Sequence, residues 1–320
     1  IPVEHNGLSQ DVLKEILTLS LKNKVYEEEY FIKFLVKPPN VLAFFSESHK
    51  VALKGYVNYR GSWLTVHNFK TNLWNYSDIE IIQLFLENAF KSRPYEEWKQ
   101  YFNEKYLKDT YYKFKLIQGE KFSNITDFLT EIELNTLRDK RELKITGDNK
   151  MAFLKDEEVK INLRVKNIQS IQVNIFEINS FNYYKKKMSP IDAKINLTGM
   201  IPTRSFSKEL KYPPLLVREE LIAFEDLTKV ERGVFIIEFV GDGLSSRALI
   251  KKGCLNLVRD SGNEGHHFYI LDEENSVLKG KGAKLYLKDK IYEGDEEGKI
   301  FVPFLNEVIK GQVIFGYDNY

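Results

Sequence analysis

The chain has 320 residues, enough for about two or three domains of ordinary size. Its 47 basic and 46 acidic side chains nearly cancel, so no net field draws it to nucleic acid or an anionic membrane surface. A 43% hydrophobic content with 22 Phe and 18 Tyr excludes wholesale disorder, and a single cysteine, Cys254, excludes an internal disulfide and a cysteine metal cluster.

Helical spacing dominates the first part of the chain. Ser9 reads as an N-cap followed by Val12, Ile16, Leu17 and Leu19 to Leu21. Asp78 opens a second helix carrying Ile79, Ile82, Leu84, Phe85 and Phe90. Tyr95 to Leu107, with Trp98, Tyr101, Phe102 and Tyr106, predicts a third, and Asn124 to Leu137 a fourth. Between the first two, Val41–Phe45 and Val51 to Phe69 alternate like strands. The reading for residues 1–142 is a mixed, mostly helical module.

Beyond residue 140 the period becomes two. Val159, Ile161, Leu163 and Val165 alternate with Lys160, Asn162, Arg164 and Lys166, the pattern of a strand buried on one face. Ile171 to Glu177 continues it. Val234–Val240 is an almost unbroken apolar strand, turned by Gly241-Asp242-Gly243 into Arg247–Lys251. Cys254–Val258, His267–Leu271, Ala283–Leu287, Ile291–Tyr292, Ile300–Phe304 and Val308–Phe315 follow at close spacing. Residues 182–227 read as a long irregular excursion containing Pro190, Pro202, Pro213 and Pro214. The fold class expected is α+β and multidomain, a mostly helical module followed by antiparallel β-sandwiches at 143–259 and 260–320. The first residue is Ile and a strand ends close to Tyr320, which reads as a piece of a longer protein.

These strands resemble a known family. Phe153-Leu154-Lys155-Asp156-Glu157-Glu158, the alternation that follows, Val165-Lys166-Asn167 and Ile175-Phe176-Glu177-Ile178-Asn179 resemble the macroglobulin-type sandwiches of the α2-macroglobulin superfamily. Gly233 to Val240 followed by Ser246 to Ile250 does so too. Leu271 to Asn275 together with Gly298 to Phe304 resembles a prealbumin-like, carboxypeptidase-regulatory-like sandwich. The resemblance covers residues ~145–320 and implies structural beads of a large protein, in some members a protease trap with a Cys-Gly-Glu-Gln thioester. Gly253-Cys254-Leu255-Asn256 lacks that motif, so no covalent trap arises from this stretch. Residues 1–142 carry no such resemblance.

Catalytic motifs fail one by one. Ser245-Ser246 has Arg247 where a nucleophile elbow needs glycine, and a strand follows instead of a helix. Gly241-x-Gly243 opens no helix for a pyrophosphate. Gly280-Lys281-Gly282 lacks the order of a phosphate loop. Glu27-Glu28-Glu29 and Asp295-Glu296-Glu297 read as solvated faces or turns. The histidines are His5, His49, His67, His266 and His267; of these His266 and His267 with Asp272 form a weak metal candidate, since neighbouring strand residues point to opposite faces. Lys185-Lys186-Lys187 beside Tyr183-Tyr184 reads as a solvated loop or a guarded strand edge. The stiff segment Tyr212, Pro213, Pro214 and Leu215 is the candidate partner-binding surface.

The expected function is therefore a non-enzymatic scaffold or protein–protein interaction fragment, with no catalytic or cofactor residue assigned. Its partners would be proteins or further copies of itself, not nucleic acid, and no apolar run reaches the ~18 residues of a membrane span. Two alternatives stand beside it: a hydrolase with its active site in the first half, and a carbohydrate-binding protein using surface Tyr and Trp such as Trp63, Trp74 and Trp98. A lone cysteine suits a reducing compartment, and the macroglobulin resemblance an extracellular one; both stay open. The sequons at Asn75, Asn124 and Asn196 carry no weight in a chain so rich in asparagine.

Overall fold

The computed structural model describes residues 6–36, 45–54, 76–123, 125–304 and 313–320. His5, His67, Trp63, Trp74, Asn75 and Asn124 lie outside these residues, as does most of the strand-like block at 41–69. The described chain gathers into two compact bodies, one helical and one made of sheets.

The helical body holds α1 (Asn6–Lys22), α2 (Glu28–Val36), α3 (Glu47–Lys54), α4 (Asp78–Ala89), α5 (Glu104–Ile117) and α6 (Glu131–Asp139). On α1, Leu13, Leu17 and Leu21 recur every four residues and are buried, whereas Val12 and Leu19 face out. Ser9 lies inside this helix and caps nothing. The start of α4 falls at Asp78 as its spacing predicts. Ser77 is the cap: its Oγ accepts from the Glu80 amide while its own amide donates to Glu80 Oε2 at 2.8 Å. Residues 95–107 do not form one helix. A 3₁₀ turn at Tyr95–Trp98 ends, and α5 begins afresh where Asn103 Oδ1 accepts from the Tyr106 amide at 2.7 Å.

In the stretch 124–137 the cap is Thr130, paired with Glu133 in the same reciprocal way, so α6 starts later than its apolar residues suggest. Bonds from the Thr130 amide and hydroxyl and from Lys113 pull the Glu133 carboxyl from its usual 4.5 down to about 2. Two further departures concern helices that the pattern did not signal. Glu28 and Glu29 form the first turn of α2, where the helix dipole favours acids. Val51 to Lys54, read as strand, close α3.

The core of this body is aromatic. Phe31 stacks on Phe85 with ring centroids 4.7 Å apart, and Phe45, Phe90, Trp98 and Phe102 are buried around them. Trp98 is 3% exposed beneath the Arg93 guanidinium, so it presents no platform to a sugar. His49 is buried with Nε2 2.8 Å from the Leu35 carbonyl, which assigns the ring proton to that nitrogen. Residues 146–148 and 212–218 belong to the same body, and Val217 joins its core.

The second body is a pair of sandwiches. The first contains β1 (Glu142–Ile145), β2 (Ala152–Phe153), β3 (Lys160–Lys166), β4 (Ser170–Ile178), α7 (Ser180–Lys187), β5 (Arg204–Glu209), β6 (Val217–Ala223), α8 (Glu225–Thr228), β7 (Gly233–Gly241) and β8 (Leu244–Lys252). Sheets ordered β1-β3-β6 and β2-β8-β7-β4-β5 face one another across Ile161, Leu163, Val165, Ile171, Val173, Ile175, Ile237 and Phe239. All the pairings recorded in them are antiparallel except β2 with β8.

The almost unbroken apolar run of β7 has a physical cause. Its other face, with Phe176 and Ile178 of β4, is also covered, by Ile191, Leu197 and the tyrosines of α7. Asp242 and Gly243 both take positive φ, 45° and 82°, the two-residue hairpin that the sequence signals between β7 and β8.

The excursion at 182–227 is not irregular. It contains β5, β6 and parts of α7 and α8. β5 escapes a period-two reading because it is an edge strand, exposed along most of its length. Lys185, Lys186 and Lys187 are not a loop either but the last turn of α7, where cations meet the negative end of the helix dipole.

The second sandwich follows with β9 (Asn256–Ser261), β10 (Gly265–Leu271), β11 (Ala283–Leu287), β12 (Lys290–Glu293), β13 (Lys299–Pro303) and β14 (Ile314–Tyr317). Two antiparallel sheets, β13-β10-β9 and β12-β11-β14, enclose Phe268, Ile270, Ala283, Leu285, Ile300 and Val302.

One buried charge anchors the base of the first sandwich. Lys252 is fully buried at the end of β8, and its ammonium donates to the carbonyls of Glu157 at 2.7 Å and Thr228 at 3.1 Å. Burial lowers its pKa, so the unfolded chain holds the proton more tightly and this group's contribution improves as pH rises toward its ordinary 10.5. Lys252→Met keeps the stem and removes the donor, leaving two carbonyls unsatisfied. It is expected to destabilise the sandwich body by about 1–3 kcal/mol in urea titration; a change within about 0.5 kcal/mol, the ordinary surface range, would contradict this account.

Candidate interaction site

One carboxylate lies at the centre of the joint between the two sandwiches. Glu273, in the turn after β10, accepts from the Arg232 guanidinium at 2.8 Å through Oε2 and from the Cys254 amide at 2.6 Å through Oε1. Arg232 precedes β7 and Cys254 follows β8, so both partners lie at one end of the first sandwich. Both charged side chains are poorly exposed, 14% for Arg232 and 12% for Glu273. Burial alone would push the Glu273 carboxyl up; the Arg232 guanidinium and the Cys254 amide outweigh it and hold it below the usual glutamate range. Burial likewise acts to lower Arg232, and its carboxylate neighbours raise it on balance.

The flanking acids reinforce the joint. Glu274 pairs with Lys155, and Asp272 Oδ1 accepts from the amides of Glu274 and Ser276 at 2.9 and 2.8 Å, shaping the turn that presents Glu273. Gly253 is needed here. It sits at φ +81°, and a Cβ would lie 2.5 Å from Arg232 Cγ and 2.9 Å from the Glu231 carbonyl.

A second fastening lies beside the first. Asn179 caps α7 by accepting from the Asn182 amide at 3.0 Å, and its Nδ2 donates to Asn319 Oδ1 at 2.7 Å. The Ser180 amide and hydroxyl both donate to the Asn319 carbonyl, at 3.0 and 3.2 Å. Phe181 packs so closely on β14 that a Cβ at Gly316 would fall 2.9 Å from its ring. The Tyr320 hydroxyl donates to the Gly253 carbonyl at 2.8 Å. Burial, with Cys254 and Glu273 nearby, pushes that phenol up to about 12.

Between these fastenings the sandwiches leave a cleft of about 410 Å³. Phe181, Tyr184, Val234, Leu255, Phe315 and Tyr320 supply apolar walls, and Lys251 and the exposed Cys254 thiol stand at its edge. No catalytic constellation accompanies the thiol: its Sγ has the Leu255 carbonyl at 3.9 Å, and the adjacent carboxylate is held by Arg232. What this geometry offers is an apolar recess with one lysine in its lining, suited to holding a side chain of another molecule.

The residues singled out in the sequence scatter. His266 Nδ1 lies 3.0 Å from Ser261 Oγ, and the His267 ring lies against Phe301 on the neighbouring strand. Asp272 serves its own turn, and among the described residues no group of three or more His, Cys, Asp or Glu is gathered as a metal site. Tyr212, Pro213, Pro214 and Leu215 belong to the helical body, with Tyr212 and both prolines exposed and Val217 anchoring the segment in the core. The cleft residues were not brought together by sequence reasoning. Only Cys254 and Tyr184 drew attention as candidate site residues, because four short segments far apart in the chain converge there.

Comparison with known proteins adds two family models in succession. The model for the N-terminal domain of actin-binding protein F matches residues 1–141, and that for the first immunoglobulin-like domain of the same protein matches 171–253. Actin-binding protein F of Dictyostelium discoideum is 29% identical over 243 residues, 74% of this chain but 10% of that protein, so the chain spans only a small part of its relative. Among solved structures, the MG0-NIE-MG1 segment of Escherichia coli α2-macroglobulin covers 56% of this chain and 64% of that one at 12% identity and a TM-score of 0.33. The NIE-MG1 segment covers 56% and 97% at 11% identity and 0.32. The sandwich itself stands on its strand pairing, two sheets around one core, and an immunoglobulin-like family model matches residues 171–253 of it.

Glu273→Gln keeps the shape and removes the charge. It is expected to lower the stability of the sandwich body by about 1–3 kcal/mol at neutral pH in thermal unfolding. Because the folded carboxyl titrates below its ordinary value, wild-type stability from this group is present above the unfolded pKa and drains as pH falls through the folded one. The variant should lack that acid-side loss, and identical acid profiles would contradict the bridge.

Proposed function

We propose that this chain is a non-enzymatic interaction segment of a larger actin-associated protein. In this reading the helical module at 1–142 makes the actin contact, and the sandwiches at 143–259 and 260–320 act as fastened beads that carry it. One observation supports the reading above others: models for the first two parts of an actin-binding protein match this chain consecutively and in the same order. The geometry is compatible, since the side chains that resemble catalytic motifs serve turns, caps and ion pairs. Asp295, for instance, accepts from the Glu297 and Lys299 amides at 3.0 and 2.8 Å, which is a turn and not a general acid. Ser246 donates to the Leu143 carbonyl at 2.7 Å, which leaves its hydroxyl without a base.

The test is co-sedimentation of the 320-residue chain with filamentous actin. Saturable pelleting that weakens several-fold between about 50 and 300 mM salt is expected of a contact between charged surfaces. A chain that stays in the supernatant at every actin concentration would remove the reading.

A further inference from the structure

The cleft between the sandwiches has an unbalanced charge. Lys251 lines it and makes no ion pair among the described residues. Lys186 and Lys187, on the helix that supplies Phe181 and Tyr184, make none either, and Lys185 lies over the Tyr286 ring at 5.5 Å. The acids of the turn after β10 are already engaged: Glu273 by Arg232, Glu274 by Lys155, and Asp272 by two amides. A recess with aromatic walls, a lysine without an ion pair in its lining and further lysines on the helix that builds it complements an apolar side chain flanked by carboxylates. Its volume of about 410 Å³ lies within the usual range of ligand clefts, roughly 300–1,000 Å³, and has room for one or two large side chains.

We propose that this cleft is a docking site for a short acidic peptide segment of a partner protein, which inserts a Phe or Leu anchor among Phe181, Tyr184, Leu255 and Phe315 and sets its carboxylates against Lys251 and the lysines of α7. The site is independent of any actin contact made by the helical body and stands or falls apart from it. Cys254 is the only cysteine of the chain and opens at the edge of the cleft, so its thiol reports occupancy directly. A bound segment shields it from a disulfide reagent.

The experiment uses the whole chain and three fluorescein-labelled decapeptides: two adjacent Phe-Leu anchors flanked by Asp, the same anchors flanked by Lys, and Ala anchors flanked by Asp. Only the first should bind saturably by fluorescence anisotropy, and at saturation it should slow the reaction of Cys254 with Ellman's reagent about fivefold or more. Lys251→Glu should weaken it about tenfold or more, as expected for reversing a contact charge. The exposed pair Lys186→Glu and Lys187→Glu gives the same direction of change should Lys251→Glu fail to fold, circular dichroism deciding that point. Equal binding of the Lys-flanked peptide, binding that leaves Cys254 unprotected, or no saturable binding would each overturn the proposal. So would self-association of the chain abolished by Lys251→Glu, which would give the cleft to a second copy.

Discussion

A buried carboxylate is the charged centre of the joint between the two sandwiches. Glu273 accepts from a guanidinium and from a backbone amide of the preceding sandwich, and both acceptor contacts are short. A buried acid of this kind is tolerated only because its charge and its lone pairs are satisfied together. The consequence reaches beyond stability. The cleft has walls from both sandwiches, so its shape exists only while the joint is closed. Gly253 belongs to the same constraint, since no side chain fits where the backbone passes Arg232 and Glu273.

The helical body follows different physics. It is organised by aromatic packing, with Phe31, Phe85, Phe90 and Trp98 at its centre and polar caps at the helix starts. Two of those caps are reciprocal Ser/Thr–Glu pairs, which decide where α4 and α6 begin. Lysines and arginines lie along its aromatic rims, so even its surface uses ring faces.

What could be read in advance tracks how local each cause is. Strict alternation in β3 and β4 and the Asp242-Gly243 hairpin are local, and they appear where the pattern puts them. β5 was invisible because an exposed edge strand has no apolar face to alternate. Lys185 to Lys187 were misplaced because three cations in a row carry no period, although they suit the end of a helix. Val51 to Lys54 read as strand from composition, yet they close a short helix whose buried His49 meets the Leu35 carbonyl. The joint was hidden for a different reason. Asp272, Glu273 and Glu274 stand out as an acidic triple, but their partners Arg232, Cys254 and Lys155 lie up to 119 positions away. No spacing rule connects them. The sequence offered Asp272 as a metal ligand, and the fold gives it to the turn that presents Glu273.

The cleft keeps its shape only if the two sandwiches open and close as one unit, which amide hydrogen exchange measures residue by residue. The Cys254 amide, bound by Glu273, and the Ser180 amide, bound by Asn319, should exchange in step with the strand amides of Ile236 and Ile250. If those two amides exchange at the rate of open loops while the strand amides stay protected, the joint is not closed in solution and the cleft has no fixed shape.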